Sequence, residues 1–155
     1  MFTWSFTPDV YTSGPTGDVS FQATVDNTGT TDITRLTGVF SYLGTISPYY
    51  TNAVFGTTGN PSLYAEFAGI DLKPGDMFSF TFLTVDFVNA QPGSYTGLTS
   101  DTLSLGDTSG GTGFISPTNV PLIDVVTPEP PALILVCTGA LCLLGMAKLR
   151  ALRNA

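Results

Sequence analysis

Residues 77–88 read Met77-Phe78-Ser79-Phe80-Thr81-Phe82-Leu83-Thr84-Val85-Asp86-Phe87-Val88. Phenylalanine fills every second position from Phe78 to Phe82, the two-residue period of a strand with one face buried. Leu83, Val85 and Phe87 continue the alternation with the opposite parity. A slip of one position in such a pattern is produced by a β-bulge or by a change of sheet. Leu72-Lys73-Pro74-Gly75-Asp76, just before it, is a tight turn in which proline presets φ and glycine accepts the positive angle.

Outward from this stretch the same period recurs. Val19, Phe21, Ala23 and Val25 alternate with polar residues, and Asn27-Thr28-Gly29-Thr30 then supplies turn chemistry. Residues 1–9 read as a strand running into a turn. Residues 33–42, 63–67, 94–99 and 102–105 read as further strands, with 56–61 as a loop. No segment of the body sustains a helical period. Short strands separated by frequent turn signals predict an all-β fold, an antiparallel β-sandwich over residues 1–105.

Three fragments of this body resemble bacterial immunoglobulin-like modules. They are Ala23-Thr24-Val25-Asp26-Asn27-Thr28-Gly29, Asp71-Leu72-Lys73-Pro74-Gly75-Asp76 with the Phe-rich stretch after it, and Pro92-Gly93-Ser94-Tyr95-Thr96-Gly97. The resemblance implies an immunoglobulin-like sandwich with adhesive, spacing or matrix roles, and it carries over no catalytic residue. Beyond the body, residues 106–127 read as a linker or stalk. Gly106 to Gly113 is a Gly/Ser/Thr segment, and no lysine follows it as a phosphate loop would require. Residues 114–126, with Pro117 and Pro121, suit either a last edge strand or a stiff stalk.

Residues 128–155 are of another kind. Pro128-Glu129-Pro130 precedes an apolar stretch over 131–147, and Lys148, Arg150 and Arg153 follow it. As a helix the uncharged part spans roughly 25 Å, slightly short of the ~30 Å hydrocarbon core, and Lys148 and Arg150 can snorkel to complete a crossing. Under the positive-inside rule the three basic residues orient the C-terminus to the cytoplasm and everything upstream outside it. The short motif, apolar helix and basic end, in that order, resemble the PEP-CTERM sorting signal of exported Gram-negative proteins. That resemblance implies an exosortase-type processing enzyme as partner, cleavage near Pro128–Pro130, passage through the inner membrane, and final residence at the cell surface or in an extracellular matrix. It also implies a setting of biofilm and exopolysaccharide, the latter a further candidate partner. Here the basic end is more dilute than the dense arginine runs common in that family.

Export also calls for an N-terminal signal with a basic and then an apolar region, and residues 1–9 have neither. The expectation is that a leader precedes this sequence. The alternative is a tail-anchored membrane protein whose binding domain stays unprocessed.

Charge and composition exclude much. Residues 1–129 hold Arg35 and Lys73 against all twelve carboxylates, a net charge of −10. Such a body is repelled by nucleic acid and by anionic headgroups. There is no histidine, and both cysteines, Cys137 and Cys142, lie in the apolar stretch, where they read as small apolar residues. Triads, thiol catalysis and imidazole metal sites are thereby removed. A glycosidase-type carboxylate pair remains formally available in Glu66 with Asp71 or Asp76, although alternation turns Glu66 outward. Asp9, Asp18, Asp71, Asp76, Asp101 and Asp107 sit at candidate loop positions that could offer oxygens to calcium, but none forms a spaced calcium loop. Tyr49, Tyr50 and Tyr64 are candidate sugar-stacking aromatics. The sequence thus points to a non-catalytic, cofactor-free surface or matrix protein, with a carbohydrate-binding matrix protein as a second alternative.

Overall fold

The computed structural model of the protein describes residues 1–56, 63–107 and 110–127. Within them the strands are β1 (Thr3–Phe6), β2 (Val10–Ser13), β3 (Gly17–Asp26), β4 (Arg35–Leu43), β5 (Tyr50–Phe55), β6 (Met77–Phe87), β7 (Gly93–Thr96), β8 (Leu98–Gly106) and β9 (Leu122–Val125). Helix is confined, among the described residues, to one turn, α1 (Leu63–Glu66), and a 3-10 turn at Ser47–Tyr49. No helix among them is long and apolar enough to cross a membrane, and the apolar stretch at 131–147 lies outside them.

The Phe-rich stretch forms β6, an inner strand of a sheet ordered β1-β3-β6-β5. Leu83 stands opposite Phe21 and Thr81 opposite Gln22, so Phe82 is the extra residue of a β-bulge. Pairing with β3 continues on both sides of Phe82, and the parity slip is therefore a bulge with no change of sheet. The bulge lets Phe80, Phe82, Leu83, Val85 and Phe87 all reach the interior. Phe82 sits among Trp4, Phe6 and Phe55, with ring centroids 5.1, 5.5 and 5.8 Å away. On the outer face, polar pairs bridge the strands: Ser20 with Thr84 at 2.9 Å, Gln22 with Thr81 at 3.0 Å, and Thr24 with Ser79 at 2.8 Å.

The opposing layer is built from the sheets β2-β9-β7 and β4-β8. They join where β7 runs into β8 at Gly97: Gly44 N–H donates to the Gly97 carbonyl at 3.1 Å and Ile46 N–H to that of Thr96 at 3.4 Å. Gly97 is the residue that fits here, since a Cβ would lie 2.5 Å from Cζ of Phe21. Among the described residues all strand pairs but one are antiparallel. The exception is β2 beside β9, which run parallel. It arises because the chain leaves the first sheet after β1, through the cis Thr7–Pro8 bond, and reaches the second as β2.

Residues 110–127 lie along this layer. Gly106 bridges Gly111 and Leu103 bridges Ile115, while β7 pairs with β9. The residue numbers of the Leu103–Ile115, Thr96–Leu122 and Gly93–Val125 pairs have one common sum, so they share a single antiparallel register, interrupted around Pro117. Trp4 Nε1 donates to the Ile115 carbonyl at 2.8 Å, and Thr118 N–H to that of Trp4 at 2.9 Å, closing one side of the sandwich. Where composition suggests a linker, Asp107 N–H donates to the Gly110 carbonyl at 3.1 Å. Within residues 114–126, Leu122–Val125 form β9, which lies between β2 and β7 where an edge position was expected.

One expected strand is corrected. Residues 63–67 form a helical turn, in which Leu63 and Phe67, one turn apart, are both buried. Phe67 packs edge-on against Phe78 and Phe80 at 5.1 and 4.9 Å. The short apolar run fits either period, and the need to cover those two rings selects the helical one. Asn27, fully buried, ties this end together: its Nδ2 donates to the carbonyls of Thr31 (2.9 Å) and Leu72 (2.8 Å), and its Oδ1 accepts from Gly29 N–H at 3.1 Å.

Candidate functional site

β9 is the last strand among the described residues. Val126 N–H donates to the Ser13 carbonyl at 2.9 Å, and a single residue, Thr127, separates Val126 from Pro128. The sorting residues Pro128, Glu129 and Pro130 and the orienting residues Lys148, Arg150 and Arg153 lie outside the described residues. Their place is marked from the folded side only, by a strand with neighbours on both edges.

The candidate carboxylates are dispersed. Glu66 belongs to α1, not to a strand, and its Oε2 accepts from Thr81 N–H at 3.3 Å. Asp71 and Asp32 grip the Lys73 ammonium at 2.9 and 2.8 Å, and hydrogen bonding to Asp32, then Asp71, raises its pKa. Asp76 closes the turn by accepting from Lys73 N–H at 3.0 Å. Asp18 lies on β3 opposite Asp86, and Asp9 is hydrogen-bonded to Asn119. Among the described residues no three acidic groups converge in a way that could hold a metal ion.

A cleft of about 490 Å³ is lined by Phe6, Thr7, Pro8, Asp9, Thr118 and Asn119. Asn119 accepts from Phe6 N–H at 2.8 Å and donates to the Phe6 carbonyl at 2.9 Å, so its amide is spent on joining the two layers. Of the candidate tyrosines, Tyr49 is half-buried with its ring edge-on to Tyr95 at 5.6 Å, while Tyr50 and Tyr64 are exposed on separate elements.

Asp101, like Asp18, lies in a strand where a loop position was expected. It sits within β8, only 3% exposed, where the register against β4 shifts between Phe40 and Tyr42. Ser41 Oγ donates to its Oδ1 at 2.6 Å. Burial pushes its carboxyl up to about 6, against the opposing pull of the hydrogen bonds from Ser41 and from the Tyr42 and Asp101 backbone. Asp101 falls between the expected strands 94–99 and 102–105, at a candidate loop position, and pairing with β4 makes one continuous strand of Leu98–Gly106. Ser100, at φ 58°, absorbs the irregularity.

No protein-family model, no curated protein and no solved structure matches the chain.

Proposed function

We propose that the protein is a non-catalytic, exported surface or matrix protein, delivered through a C-terminal signal of the exosortase type. One observation carries this reading: Pro128-Glu129-Pro130, an uncharged apolar stretch and the basic residues Lys148, Arg150 and Arg153 follow one another at the end of an otherwise acidic chain. Prolines suit a recognition segment because they prevent helix continuation and present extended backbone to an enzyme cleft. The apolar stretch, as a single helix, would hold the precursor in the inner membrane with the basic residues on the cytoplasmic side.

The delivered domain is read as an immunoglobulin-like sandwich. Support comes from the strand order: β1-β3-β6-β5 corresponds to the A-B-E-D sheet of that fold, and β4, β7–β8 and β9 to its C, F and G strands. Such sandwiches serve as rigid spacing or binding modules, and the dispersed carboxylates favour a binding role over a hydrolytic one.

The test is mass spectrometry of the C-terminus in a Gram-negative host that carries an exosortase-type enzyme. The expected mature chain ends near residues 127–131, and Glu129→Ala leaves the uncut precursor in the membrane fraction. A wild-type chain that keeps residues 148–153 at full abundance would instead identify a permanent tail anchor.

A further inference from the structure

We propose that the outer face of the β4–β8 pair is a docking surface for an uncharged polysaccharide chain, bound by Phe114, Phe40 and Tyr42. The proposal deepens the matrix-protein reading and rests on it only for the polymer's being within reach.

The register determines which side chains line this face. Val39 stands opposite the fully buried Leu103, and Leu43 opposite the fully buried Leu98, so positions 39 and 43 face the core. Gly38, Phe40 and Tyr42 therefore face outward, opposite Ser104, Thr102 and Thr99. Phe114, arriving from the turn after β8, lies on Gly38: a Cβ there would be 2.8 Å from Cζ of the Phe114 ring. The glycine thus makes room for a third ring in line with the other two. Phe40, Tyr42 and Phe114 are 52%, 65% and 63% exposed. Neighbours in the row are separated by two residues of strand, roughly 7 Å.

This row lies on an irregular pair of strands. The register shifts twice along β4, between Leu36 and Gly38 and again between Phe40 and Tyr42. The buried Ser41–Asp101 hydrogen bond lies beneath the second shift and ties the two strands across it.

Three features choose the occupant. Hydroxyl groups flank the rings, with Thr99 opposite Tyr42 and Thr102 opposite Phe40, both half-buried on the neighbouring strand. Flat rings interleaved with hydroxyls match the two faces of a sugar, whose C–H groups stack on aromatics while its rim hydrogen-bonds. The charge of −10 over residues 1–129 disfavours polyanions, including nucleic acids and uronate polymers. The surface is also too small for a stable protein partner: three half-exposed rings offer about 300–400 Å², against roughly 800 Å² per partner in a standard interface.

The experiment measures binding of the full-length chain, held in lipid nanodiscs, to immobilised hydroxyethyl cellulose and galactomannan, with alginate as the anionic comparison. The expected result is retention on a neutral polymer, weaker retention on alginate, and at least about tenfold weaker binding for F40A/Y42A. Tyr50→Ala, on the other sheet, is expected to bind as wild type. If F40A/Y42A loses its thermal transition, Phe114→Ala replaces it, because that ring lies outside the strands. Absence of binding to both neutral polymers overturns the proposal, as does unchanged binding by folded variants. A wild-type dimer that F40A/Y42A converts to monomer also overturns it, in favour of self-association. Binding in this assay does not depend on C-terminal processing, so either reading can fail without the other.

Discussion

Asp101 shows how one buried carboxyl makes the domain's stability depend on pH. In the fold its pKa is raised from 3.8 to about 6, chiefly by burial. The native state therefore holds the proton more tightly than the unfolded chain does. The stability it contributes is complete below about pH 4 and is lost as pH rises towards 6. Asp101→Asn keeps an acceptor for Ser41 and removes the titration. The stability of this variant relative to wild type is expected to grow by about 2 kcal/mol between pH 4 and pH 7. Urea midpoints at the two pH values check this, and a constant difference would place Asp101 in a wetter setting than the structure gives it.

At the scale of the element, the bulge in β6 matters most. Phe82 is an insertion into the alternation, yet its ring is fully buried at the meeting point of Trp4, Phe6 and Phe55. Without it, Phe78 and Phe80 could not share a face with Leu83, Val85 and Phe87, and half the strand would turn its apolar side to solvent. Phe82→Ala is expected to cost about 3–5 kcal/mol, the range for emptying a phenylalanine site in a packed core. Thr81→Ala, on the polar outer face, is expected to stay within about 0.5 kcal/mol. Chemical denaturation of the two variants side by side decides the matter, and equal losses would mean that the bulge is not a core feature. The sequence made the slip legible because alternation has two parities, and the unbroken pairing with β3 chose a bulge over a change of sheet. It left α1 illegible: Leu63, Ala65 and Phe67 fit a strand, and the rings that need covering lie on a distant segment, β6.

Across the whole molecule, the last strand closes the fold. β9 hydrogen-bonds β2 on one edge and β7 on the other, and the segment before it joins Trp4 and Phe6 to the second layer. A chain ending at Thr127 is expected to keep the cooperative transition of the full-length protein, since every described strand is retained. A chain ending at Val120 is expected to lose it, because β2 and β7 no longer have a common neighbour. Circular dichroism melting distinguishes the two outcomes, and a folded chain ending at Val120 would show β9 to be dispensable. Cleavage near Pro128 would thus release an intact domain, whereas cleavage a few residues upstream would open it.

By itself the sequence determined the strand period, the parity slip in β6, the acidic charge and the apolar and basic composition of the C-terminal stretch, because each is written in neighbouring residues. Tertiary structure alone decided that Leu122–Val125 is a strand between β2 and β7, that Asp101 is buried, and that Phe114 lies over Gly38. Each of these depends on residues far apart in the chain. Ile115 finds Leu103 and Trp4, Asp101 finds Ser41, and Phe114 finds the space above Gly38. Local propensity cannot supply such pairings, since burial and hydrogen bonding are settled only when the two layers close on each other.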